Sequence, residues 1–170
     1  MALISEKLNG SLNALIGKCF AMNRMLDRGM SLLMVRWKMV PTSEILHPAL
    51  AHAMTGDKFA DAISGYQGLR DNESIYPATP VGDREYRNPL MFFEDYHKEN
   101  LELEDMIKDA IDQAIEEGDL STKVFLDGLL ANLTPYTAMS QTLIDLCNQY
   151  GMDSFHLQVL DANIDKYVSV

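Results

Sequence analysis

The chain has 170 residues, of which 47% are hydrophobic and 23% charged; this supports a single folded domain spanning 1–170 and excludes wholesale disorder. Its 25 acidic residues against 14 basic ones leave a formal charge of −11, which repels phosphate backbones, argues against nucleic-acid binding and makes cations the natural partners. The longest uncharged run, 128–144, contains Asn132, Thr134, Pro135, Ser140 and Gln141 and is too polar for a membrane span. The opening MALISEKLNG lacks a basic region followed by an apolar core, so a cytoplasmic setting is expected, with Cys19 and Cys147 as free thiols.

Apolar residues recur at helical spacing along almost the whole chain. In the first segment Leu8, Leu12, Leu15, Ile16, Cys19, Met22 and Leu26 form one stripe, although Gly10, Gly17 and Gly29 each weaken a helix by roughly 1 kcal/mol relative to alanine. A second pattern from about Pro48 to Leu69 aligns Ala51, His52, Thr55, Phe59, Ala62, Ile63 and Tyr66. Pro48 suits a first helical turn, while Thr42 or Ser43 would start this helix earlier at the cost of a kink. Pro77, Pro80, Gly82 and Asp83 break any helix between Asp71 and Asn88, and Pro89 opens the next one. That third helix, to Glu117, has Phe93, Tyr96, Leu103, Ile107, Ala110, Ile111 and Ala114 on its apolar face. Gly118 stops it, and Asp119 or Ser121 caps a fourth helix reaching Tyr150 and carrying Phe125, Leu126, Leu129, Leu133, Tyr136, Leu143, Ile144 and Cys147. Pro135 within it removes a backbone hydrogen bond and is expected to produce a kink. Gly151 ends that helix, and Asp153 or Ser154 caps a short fifth helix to about Tyr167.

No run alternates with period two, so the fold class is all-α. The tight turn at 117–120 makes helices three and four antiparallel neighbours. The 18 residues from Asp71 to Asn88 reach about 60 Å when extended, whereas a 25-residue helix is only about 37 Å long. This link can therefore cross the full length of a four-helix bundle and set helices two and three parallel.

With that connectivity the sequence resembles the bacterial non-haem ferritins of the ferritin-like superfamily. The resemblance covers nearly the whole chain and is carried by Leu3-Ile-Ser-Glu-Lys-Leu8, Phe59-Ala-Asp-Ala-Ile63, Pro89-Leu-Met-Phe-Phe-Glu94 and Asp119-Leu-Ser-Thr-Lys-Val-Phe-Leu126. It implies a ferritin-like four-helix bundle with a long crossover and a short fifth helix. It also implies an iron-storage role and a homo-oligomeric shell of 24 subunits. Such ferritins oxidise Fe(II) at a di-iron centre built from a glutamate on helix one, Glu-x-x-His on helix two, a glutamate on helix three and Gln-x-x-Glu on helix four.

Carried across without gaps, those positions fall on Cys19, on His52 and Thr55, on Asn100 (with Glu99 adjacent), and on Leu133 and Tyr136. None is a carboxylate, so the ferroxidase centre is expected to be degenerate, with no catalytic residues and no intact di-iron site. Cys19 and His52 favour zinc or copper over hard Fe(III), and with Glu99 they are weak metal candidates. In the competing structural reading, which is preferred, the buried Cys19 behaves as a small hydrophobe and His52 hydrogen-bonds a neighbour such as Tyr136 or Asn100. The acidic run between Glu94 and Asp119 (Glu94, Asp95, Glu99, Glu102, Glu104, Asp105, Asp109, Asp112, Glu116, Glu117 and Asp119, opposed only by Lys98 and Lys108) reads equally as a solvated face or as a cation-attracting surface. The expected function is thus an iron-storage subunit without ferroxidase chemistry that stores or nucleates mineral passively or co-assembles with an active subunit. The alternatives are a ferroxidase with relocated ligands (Glu99, Glu102, His97) and a metal-free helical scaffold.

Overall fold

The N–H of Leu8 donates to Ser5 Oγ at 3.0 Å, and from this cap α1 runs Glu6–Val35. In the computed structural model, which describes residues 2–168, every member of the predicted α1 stripe from Leu8 to Leu26 is buried.

The second strut departs from the expected unbroken helix. It comprises α2 (Val40–Leu46), a π turn (His47–Ala51), α3 (His52–Thr55), a break over 56–59 and α4 (Ala60–Leu69). The helix begins before Pro48, so the proline lies in its interior. There it lacks an N–H, and its ring would strike the carbonyl four residues back; the chain widens into a π turn. At the break Gly56 is extended, and α6 (Leu120–Tyr150) staples the gap: Asn132 Nδ2 donates to the Lys58 carbonyl and Lys58 Nζ to Tyr136 Oη, both at 3.2 Å. Of the predicted face, Ala51, Phe59 and Ile63 are buried, whereas His52 is exposed.

Residues 71–88 are irregular and follow α1 from end to end. Asn9 Nδ2 donates to the Glu73 carbonyl, Asn13 Oδ1 accepts from the Ile75 N–H, Arg24 Nε donates to Thr79 Oγ1, and Arg28 and Arg36 both pair with Glu85. The crossover thereby delivers the chain to the far end of the bundle. There Met91 N–H donates to Asn88 Oδ1 and α5 runs back over Pro89–Glu116, antiparallel to α1. Lys18 meets Glu99, and Ser11 meets Gln113 further along.

Gly118 at φ +70° and the cap Asp119, whose Oδ1 accepts from Thr122 N–H, turn the chain into α6 (Leu120–Tyr150), unbroken across Pro135. The carboxyl of Asp119 is held below the usual aspartate range: burial would raise it, but hydrogen bonds from Thr122 and the nearby Arg70 guanidinium outweigh that. The last helix, α7, spans Ser154–Asp161 and is followed by a 3₁₀ turn, Ile164–Lys166. It is shorter than expected because Asn163 Nδ2 donates back to the Val159 carbonyl and competes with helix continuation. Asp161 anchors α7 on α2 by accepting from both the N–H and the hydroxyl of Thr42, at 2.8 and 2.6 Å. No described helix is long and apolar enough to cross a membrane, and none of the described residues is in a strand.

Candidate functional site

The six sequence-selected positions are spread over all four struts. Cys19 is fully enclosed on α1, and burial pushes its thiol up to about 12. Asn100 is fully enclosed on α5; its Nδ2 donates to the Tyr136 carbonyl at 3.4 Å, and its Oδ1 has no partner. One turn earlier the hydroxyl of Tyr96 is likewise buried and unpartnered, and burial raises its phenol above the ordinary tyrosine range. Leu133 is core. Tyr136 packs edge-on against Phe59 with ring centres 5.3 Å apart, and Lys58 Nζ stands 5.4 Å from its ring centre.

The second strut separates its two candidates from this interior. His52 is exposed; with Tyr136, Gly56 and Lys58 it lines a surface cavity of about 300 Å³ opened by the helix break. Thr55 turns its hydroxyl onto the His52 carbonyl at 3.4 Å. The structure therefore joins Asn100 to Tyr136 and leaves His52 outside while Cys19 is sealed within.

Glu99 is buried, but it faces α1 and the crossover. Its two oxygens are taken by Lys18 Nζ at 2.5 Å and Arg84 Nη1 at 2.9 Å. Burial alone would lower the Lys18 ammonium, but hydrogen bonds to Glu102 and Glu99 overcome this and hold it above the usual lysine value. Arg84 also pairs with Asp95 at 2.7 Å. Both oxygens of Glu99 are thus engaged by protein cations. The sequence reading missed both, because Lys18 and Arg84 lie 81 and 15 residues from Glu99 and no local pattern pairs them.

The other proposed ligands are engaged as well. Glu102 bonds Lys18 at 2.7 Å. His97 Nδ1 lies 2.8 Å from Ser140 Oγ, whose proton is given to the Thr137 carbonyl, so His97 carries its proton on Nδ1 and donates to the serine. Among the described residues, no group of three or more His, Cys, Asp or Glu side chains is arranged to hold a metal ion. Chemically, the aligned positions offer a protonated thiol, an imidazole, a hydroxyl, an amide, a phenol and a hydrocarbon but no carboxylate, a set that does not fit two adjacent multivalent iron ions.

Cys147 is buried too, and burial together with Glu94 pushes its thiol up to about 12. Iodoacetamide at pH 8 is therefore expected to label both cysteines roughly a thousandfold more slowly than a free thiol until the protein is unfolded. Mass spectrometry checks this, and rapid labelling of either residue in the folded protein would contradict it.

Four struts, an end-to-end crossover and a short closing helix define a ferritin-like helical bundle. Solved structures share it. A Chlorobium tepidum ferritin matches with TM-score 0.81 and 17% identity, covering 97% of this chain and 99% of that one. An Archaeoglobus fulgidus ferritin described as open-pore matches with TM-score 0.78 and 20% identity over 95% and 97%. A humanized archaeal ferritin gives TM-score 0.83 and 20% identity over 98% and 99%. At such identities the likeness carries the fold alone. No curated protein sequence matches the chain. The family model "Ferritin: Ferritin-like domain" matches residues 44–150, and the chain belongs to that family.

Proposed function

We propose that this chain is a cytoplasmic iron-storage subunit that has lost the di-iron ferroxidase centre and assembles into a 24-subunit homo-oligomeric shell. There it stores or nucleates mineral passively, alone or beside an active subunit. The observation that supports this most directly is the pairing of Glu99 with Lys18 and Arg84: the one buried carboxylate next to the aligned positions is already neutralised by protein cations. A di-iron site needs several carboxylates to balance the charge of its ions away from water, and the aligned positions offer none. Iron enters this reading as cargo, held as mineral or at weak surface sites and drawn by the −11 charge.

The test is anaerobic Fe(II) loading of the purified assembly followed by exposure to air, with particle mass and iron content measured in parallel. The expected result is a large particle that retains iron, with oxidation no faster than in buffer. A rapid burst of two Fe(II) per subunit with a diferric intermediate would overturn the loss of the centre and favour the relocated-ligand enzyme. A large particle unable to retain iron would favour the metal-free scaffold, and a monomer or dimer would remove the storage reading.

A further inference from the structure

The π turn of the second strut has a chemical consequence separate from iron storage. Its defining bond runs from the N–H of His52 to the carbonyl of His47, five residues back. In a regular α-helix residues five apart point about 140° away from each other around the axis. The wider turn forced at Pro48 brings them onto one side instead, and the two imidazole rings lie with centres 4.5 Å apart and planes tilted by 57°. Two imidazoles bound at neighbouring positions of one metal, with metal–nitrogen bonds of about 2.0–2.1 Å, place their ring centres roughly 4.5–5 Å apart.

A third residue completes the arrangement. Asp27 on α1 sets its Oδ1 2.9 Å from His47 Nε2. A carboxylate that accepts from one ring nitrogen of a histidine fixes the tautomer and leaves the other nitrogen as the lone-pair donor, the usual relation behind a metal-bound imidazole. The ring nitrogens of His52 have no hydrogen-bond partner among the described residues, and both rings are open to solvent.

We propose that His47 and His52 form a two-imidazole site for a borderline divalent cation of the zinc–copper class. Water completes the coordination, and Asp27 acts as a positioning residue. The donor set is nitrogen-rich and so differs in kind from the oxygen ligands that iron mineral requires. The remaining histidines are otherwise committed, His97 to Ser140 and His156 to Asp153.

Copper(II) alone, titrated into the iron-free assembly and followed by electron paramagnetic resonance, tests the site without reference to iron loading. The expected result is one tightly bound copper per subunit with the splitting of two imidazole nitrogens. H47A and H52A should each remove one nitrogen from the spectrum and weaken binding tenfold or more, whereas H156A should change neither. D27N should keep both nitrogens while weakening binding by about tenfold, a combination that a merely structural role would not produce. Asp27 and His52 are exposed and the His47 side chain is 43% exposed, so the variants are expected to fold, and circular dichroism verifies it. A two-nitrogen signal that survives in H52A, or its absence from the unmodified protein, would overturn the site. Unchanged affinity in D27N would remove the role assigned to Asp27.

Discussion

Gly29→Ala is expected to destabilise the protein by about 3 kcal/mol or more, although alanine gains about 1 kcal/mol over glycine inside a helix. A Cβ at this position would lie 2.0 Å from two carbons of the Phe92 ring. The ring has nowhere to retreat: it is fully buried, 5.1 Å from the Phe93 ring and 5.5 Å from that of Tyr86. Overlap therefore outweighs helix propensity, and α1 and α5 must separate where the crossover delivers the chain. Urea unfolding at matched protein concentration measures the effect. Gly10→Ala is the comparator, since its Cβ meets nothing within 4 Å. Equal midpoints for the two variants would mean that the Phe92 ring can shift after all.

Asp161→Ala is the second large effect, a loss of roughly 2–4 kcal/mol measured by the same unfolding experiment. The N-cap position of α2 is Met39, whose side chain caps nothing; Asp161 supplies the missing acceptor from 119 residues away. Its removal leaves the N–H and the hydroxyl of the fully buried Thr42 without partners. Asp161→Asn keeps one acceptor oxygen and is expected to lose about half as much. If alanine and asparagine prove equally mild, the contact between α7 and α2 contributes little.

These two positions mark the boundary of what local pattern reveals. The stripe from Leu8 to Leu26, the stops at Gly118 and Gly151, the cap at Asp119 and the span needed from Asp71 to Asn88 follow from periodicity, backbone freedom and chain length, and they suffice for the bundle and its connectivity. Gly29 reads locally as a weak point in a helix; only the arrival of Phe92 from another strut explains it. The second strut misleads for a similar reason. Pro48 suits a helix start as well as it suits a π turn, and the choice depends on whether residues 40–46 are already helical. A gap-free transfer of positions assumes one residue per fixed angle, which fails across the π turn and again at Gly56. His52 consequently faces solvent while Asn100 and Tyr136, on regular helices, do meet.

The ion triad of Lys18, Glu99 and Arg84 balances the buried carboxylate of α5 with side chains alone. Apoproteins with a half-built ligand cage confine unbalanced carboxylates and gain rigidity only when loaded. Glu99 carries no such dependence: its charge is met by protein cations, and the packing around it can be completed without any added ion.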